Sequence, residues 1–178
     1  MPADLWFGIA FILMLILANG FFSGSEMAVV SVRRSRIDHL AEEGLRAARV
    51  VGRLKDEPDR FLATVQIGVT LVGSLGSAIG GALAVQHLAP LFAQSSLPFA
   101  SESSEAFAIG TVVVIISYLS LVLGELVPKS LALRYSERVA FFVARPLIFF
   151  SWLFTAGVQL LIASTNGLLY LTGTGAQA

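Results

Sequence analysis

The sequence has no cysteine, which excludes disulfides, thiolate metal ligands and cysteine nucleophiles. It has two histidines, His39 and His87, too few for a histidine-rich zinc site. Charge is scarce: Asp, Glu, Lys and Arg make up 13% of the 178 residues, where a soluble domain carries roughly a quarter. No phosphate-cradling glycine loop, nucleophile–His–Asp set or paired aspartates of an intramembrane protease can be found. The net charge is zero, so nothing in it predicts a nucleic-acid partner. Soluble enzyme chemistry has no foothold here.

What fills the chain is apolar. Hydrophobic residues make up 56% of it, and the mean hydropathy is +0.79. All twelve Lys and Arg residues fall in two windows, Arg33 to Arg60 and Lys129 to Arg145. Leu5–Ser31 holds only Glu26, Phe61–Ser101 holds no charged residue, and Ala106–Pro128 holds only Glu125. Each run exceeds the roughly 20 residues that cross a bilayer as a helix. The first lacks a basic start and is too long for a signal-peptide core. An all-α integral membrane fold follows, with spans at about 5–31, 61–88 and 106–129. The positive-inside rule puts both basic windows in the cytoplasm, hence an external N-terminus and a cell-membrane location. The connection Pro90–Glu105, without Lys or Arg, fits an external loop.

Between the first two spans, residues 33–57 read as an amphipathic juxtamembrane helix. Ile37, Leu40, Gly44, Ala47, Ala48, Val51 and Leu54 recur at helical spacing, and Ser35 with Asp38 suggests a capping box. That helix either lies at the membrane interface or forms a solvated hairpin packed on the spans. Residues 146–178 carry no charge but are interrupted at Arg145-Pro146 and diluted by Thr165, Asn166 and others. A fourth span, an interfacial helix and a re-entrant hairpin all fit. The second span is rich in small residues, among them Gly68, Gly73, Gly76, Gly80 and Gly81, which favour close helix packing within the chain or in a homodimer.

Polar residues inside spans are costly and mark function or pairing. Asn19, Ser23 and Glu26 fall at i, i+4 and i+7, on one face of the first span, with Ser25 beside them and Gly20 and Gly24 between. The third span ends in Gly124-Glu125-Leu126-Val127-Pro128-Lys129. Pro128 has no N–H, so the Gly124 carbonyl loses its helical donor beside the Glu125 carboxylate. Carboxylate, carbonyl and hydroxyl oxygens are what hard cations select, and broken helices supply them in transporters. Gln66, Thr70 and the Gly68 backbone on the second span offer further oxygens, with Pro128 and Lys129 completing the lining. Bland alternatives stand beside this one. Serine hydroxyls often bond back to the preceding turn, Glu125 can pair with Lys129, and Glu26 can snorkel to the headgroups. His87 reads as a solvated loop residue.

Asn19-Gly-Phe-Phe-Ser-Gly-Ser-Glu-Met-Ala28, Ala63-Thr-Val-Gln-Ile-Gly68 and Gly124-Glu-Leu-Val-Pro-Lys129 together resemble the transmembrane (DUF21) domain of the CorC/CNNM (cyclin M) family. The resemblance covers essentially the whole chain. It implies a homodimer of three-helix units with a cytoplasmic belt of juxtamembrane helices, residues 137–172 belonging to the belt. It implies Mg²⁺ export from an inward-facing cavity, coupled to Na⁺ entry. The ion ligands it points to are Ser23, Ser25, Gly124 and Glu125, with Asn19 and Glu26 adjacent. Many relatives carry asparagines where this chain has Val69 and Gly73, a departure that bears on the second span. The family's cytoplasmic CBS-domain pair is absent from this sequence. The rival reading is a non-transporting anchor or Mg²⁺ sensor serving such domains.

Overall fold

The computed structural model describes residues 3–94 and 103–172 and is helical throughout, with no strand among them. In order, the helices are α1 (Ala3–Ser31), α2 (Arg34–Glu42), α3 (Arg46–Asp56), α4 (Pro58–Leu83), α5 (Ala89–Ala93), α6 (Ser104–Leu121), α7 (Val127–Arg134), α8 (Ser136–Leu153) and α9 (Thr155–Leu171). Two π turns, Ala84–Leu88 and Val122–Leu126, join α4 to α5 and α6 to α7. Three continuous stretches, Asp4–Ser31, Pro58–Ala93 and Ser104–Arg134, are long and apolar enough to cross a membrane. The middle of the expected external loop lies outside the described residues.

Large apolar side chains face outward along these stretches: Phe7, Leu17, Val114 and Tyr118 are all more than 60% exposed. Water would penalise such a surface, whereas lipid matches it. The pair α8–α9 is bent by 79° at Phe154 and counts as a fourth span only if taken as one. Pro146, within α8, does not end it.

Both π turns have the same local cause. Pro90 follows the first by two residues and Pro128 follows the second by two. A proline ring clashes with the carbonyl four residues back and has no N–H to offer it. Widening the helix by one residue relieves the clash: the Ala89 N–H reaches the Ala84 carbonyl and the Val127 N–H reaches the Val122 carbonyl, both five residues back. His87, expected in a loop, sits inside the first π turn with Nδ1 3.3 Å from the Leu83 carbonyl.

The chain divides into two compact units, residues 1–21 with 70–128, and residues 22–69 with 129–178. In the first, Ala84, Ala89 and Ala108 form a small core with Leu88, Phe92 and Val112 packed on it. A Cβ at Gly80 would run into Ile116, so that glycine serves packing within the chain. Gly73 and Gly81 have nothing within 4 Å of such a Cβ.

In the second unit the expected helix 33–57 is a hairpin. Gly44, counted above in the apolar stripe, has φ +93 and ends α2. Its N–H bonds the Ala41 carbonyl at 3.1 Å and that of Leu45 bonds the Leu40 carbonyl at 3.0 Å, a Schellman cap that needs the left-handed residue. Ser35 does not cap: Arg33 is the N-cap of α2, without a side-chain bond. Ile37 and Val51 are both fully buried, and a Cβ at Gly52 of α3 would lie 3.7 Å from the Ile37 side chain. Arg34 bridges Asp38 (3.0 Å) and Asp56 (2.6 Å), and the Asp56 bond is the main reason its pKa is raised. Arg36 reaches Glu137 of α8 at 3.3 Å. Lys55 Nζ donates to the carbonyls of Val29 (2.8 Å), Val30 (3.2 Å) and Val32 (2.6 Å), capping the C-terminal end of α1.

Candidate functional site

In the first unit, the polar residue of α1 meets the broken helix. Asn19 is 5% exposed, and its Nδ2 donates to the Gly124 carbonyl at 3.3 Å. The carbonyl that a regular α-helical register would leave without a donor at Pro128 thus accepts a side-chain amide from another helix. The contact requires glycine on both sides. A Cβ at Gly124 would lie 2.9 Å from Asn19 Nδ2, and one at Gly20 would lie 2.9 Å from Pro128 Cγ and 3.1 Å from the Leu123 carbonyl.

With Nδ2 committed, Asn19 Oδ1 is buried without a partner among the described residues. Turning the amide over would set Oδ1 against the Gly124 oxygen, so this orientation is the favourable one. Asn19 also lines a cavity of about 10 Å³ with Ser120, Gly73 and Gly76, room for one water-sized species. Ser120 has the right chemistry for this place but escaped the sequence reading, because a lone serine in an apolar run carries no pattern.

In the second unit, Ser23 is 2% exposed and its Oγ has no hydrogen-bond partner among the described residues. The ordinary back-bond to the preceding turn is therefore not made. Ser25 is fully buried. Glu26 is half-buried and lines a cavity of about 620 Å³ together with Gln66, Asp59, Thr165 and Asn166. The sequence put Glu26 and Gln66 near the same site and the structure places them in one cavity. Asp59, Thr165 and Asn166 were missed as lining. The last two had been noted only as dilution of an apolar segment, and only the α4–α9 approach, marked by Gly157 against Ile67, brings them to this cavity. Gly68 has a packing role: a Cβ there would lie 2.6 Å from the Phe22 ring. Gly124 is buried, Glu125, Pro128 and Lys129 are half-buried, and Thr70 is exposed.

Among the described residues, no three or more of His, Asp and Glu cluster in a way that could hold a metal ion. A cation held here would depend chiefly on neutral oxygens: amide, hydroxyl and carbonyl. A weakly charged set of hard oxygens suits an alkali or alkaline-earth ion and does not suit zinc or copper.

Helices long enough to span a bilayer, with buried polar groups at a proline-broken turn, define a polytopic α-helical membrane domain. Residues 9–178 match the family described as cyclin M transmembrane N-terminal domain. The chain belongs to that family. It is 42% identical over 163 residues to UPF0053 protein sll0260 of Synechocystis, covering 92% of this chain and 36% of that protein. It is 37% identical over 138 residues to UPF0053 protein YhdP of Bacillus subtilis, covering 77% and 30%. It is 32% identical over 132 residues to the UPF0053 inner membrane protein YfjD of Escherichia coli, covering 72% and 27%. The chain thus spans about a third of the length of these curated relatives.

Proposed function

We propose that this domain exports Mg²⁺ across the cell membrane in exchange for Na⁺, as a secondary transporter rather than an enzyme. The observation that carries the reading is the pair of buried side-chain oxygens without partners, Asn19 Oδ1 and Ser23 Oγ, one turn apart on α1. A buried acceptor left unmade costs roughly 1–3 kcal/mol, which a bound cation repays. The proposed ligands are the hydroxyls of Ser23 and Ser25, the Gly124 carbonyl and the Glu125 carboxylate, with Asn19 and Glu26 assisting. The cavity lined by Glu26, Asp59 and Gln66 is proposed as the cytoplasmic entry. The protein is proposed to work as a homodimer with its N-terminus outside and C-terminus inside, joined to a cytoplasmic CBS-domain pair.

The test is Mg²⁺ flux in proteoliposomes with and without an opposing Na⁺ gradient. Na⁺-dependent efflux is expected, and Glu125→Ala is expected to abolish both flux and Mg²⁺-dependent thermal stabilisation. Binding without flux under either gradient would overturn transport and identify a membrane anchor or sensor. Unchanged stabilisation in Glu125→Ala would move the site elsewhere.

A further inference from the structure

Away from the proposed ion ligands, a further cavity of about 330 Å³ combines positive charge with an apolar wall. Its volume lies within the roughly 300–1,000 Å³ of small-ligand sites. The last turn of α3 supplies Arg53, the first turn of α4 supplies Arg60 and Phe61, and α8 supplies Ile148, Ser151 and Trp152. Arg60 is held: its Nε donates to Ser151 Oγ at 3.1 Å and its Nη1 lies 3.5 Å from Glu57 Oε2. Ser151 is itself 8% exposed, so the anchor of that bond is buried. A guanidinium has five N–H donors, and these two contacts leave most of them available. Arg53 is exposed, and its side chain makes no ion pair or hydrogen bond among the described residues. Two guanidiniums against the single Glu57 carboxylate leave the cavity positive.

The apolar wall decides what kind of anion fits. Trp152 is 70% exposed and Ile148 is 38% exposed, whereas Phe61 closes the inner end at 4%. The cavity sits where the stretch Pro58–Ala93 begins, the level at which a span meets the headgroups. Tryptophan is enriched at that depth because its ring is apolar and its N–H is polar. A free phosphate would use the arginines and leave the wall unused. A zwitterionic headgroup would bring a cation into a positive cavity.

We propose that this cavity is a binding site for an anionic phospholipid. The planar forks of Arg53 and Arg60 take the headgroup phosphate, since guanidinium geometry matches phosphate oxygens two at a time. The glycerol and the first part of an acyl chain lie along Ile148 and Trp152. The site anchors the α2–α3 hairpin to the membrane surface at one fixed point, and it does not depend on which ion the domain carries.

The purified chain in neutral detergent is titrated with phosphatidylglycerol, phosphatidylcholine or inorganic phosphate, reading thermal stabilisation and lipid retained by native mass spectrometry. Phosphatidylglycerol is expected to stabilise and be retained in preference to phosphatidylcholine. Arg53→Gln is expected to lower its apparent affinity about fivefold, the effect of one arginine near a lipid surface. Arg46→Gln, an exposed α3 arginine outside the cavity, is expected to leave it unchanged. Equal response to both lipids overturns the proposal. An equal loss in Arg46→Gln overturns it in favour of diffuse attraction. Stabilisation by inorganic phosphate matching that by phosphatidylglycerol overturns it in favour of a soluble anion. Arg60→Gln, read by lipid selectivity rather than stability because it also loses the Ser151 bond, is expected to show the same loss of preference.

Discussion

The side-chain amide of Asn19 donates to the backbone carbonyl of Gly124 at 3.3 Å, across 105 residues of sequence. One bond ties the polar face of α1 to the carbonyl that lies four residues before Pro128. Asn19→Ala exposes that carbonyl as an unmade bond, and stability is expected to fall by about 1–3 kcal/mol. Thermal unfolding in detergent measures it. If Asn19 is also an ion ligand, the Mg²⁺-dependent rise in melting temperature falls with it. A lower baseline with an unchanged Mg²⁺ increment would confine Asn19 to a structural role.

Pro128→Ala returns an N–H four residues after Gly124, where a regular α-helical register brings it to that carbonyl. Asn19 and Pro128 then compete to satisfy one acceptor, so their substitutions are not independent. In the Pro128→Ala background, Asn19→Ala is expected to cost less than in the parent, by about 0.5–3 kcal/mol of coupling. Additive costs in the double-mutant cycle would sink the idea that the proline orphans this carbonyl. Weaker Mg²⁺ stabilisation in Pro128→Ala alone is the functional counterpart.

The hairpin's buried face was legible from the helical spacing of Ile37, Ala48, Val51 and Leu54, and the three apolar stretches were legible from residues 5–31, 61–88 and 106–129 because lipid imposes a coarse rule. A helix must be long and apolar to cross, and a charge inside it is conspicuous. Gly44 was misread for a local reason. At helical spacing a small residue looks like part of an apolar face, and only its φ of +93 reveals a cap. The partner of the Gly124 carbonyl was equally hidden. Proline chemistry predicts that a donor is missing, but which side chain replaces it depends on packing between distant helices. Thr165 and Asn166 joined the Glu26 cavity by the same route.

Gly20 and Gly73 make a matched pair for testing where small residues matter. A Cβ at Gly20 would press on Pro128 Cγ at 2.9 Å and on the Leu123 carbonyl at 3.1 Å, and a backbone oxygen cannot turn aside. Gly20→Ala is therefore expected to cost about 1–3 kcal/mol. Gly73→Ala meets nothing within 4 Å and is expected to be neutral or to gain up to about 1 kcal/mol from helix propensity. Size-exclusion chromatography with light scattering adds a second reading. If the proposed homodimer packs through Gly73, this variant shifts toward monomer while the folded protomer stays intact.

Lys55 gives a pH test with a defined sign. Burial lowers its pKa from 10.5, and the neighbouring Arg34 charge lowers it further. The unfolded chain therefore holds this proton more tightly than the folded one. Below the folded pKa both states are charged, and the penalty on the buried ammonium is present in full. Between the folded pKa and 10.5 the unfolded state binds more protons, so stability rises with pH, and above 10.5 the penalty is gone. Melting temperatures followed through the alkaline range to about pH 11 should show that rise. Lys55→Met should remove the rise and lower stability at neutral pH by about 2 kcal/mol, because the carbonyls of Val29, Val30 and Val32 lose their shared donor. A variant as stable as the parent at neutral pH would show that the end of α1 is satisfied without Lys55.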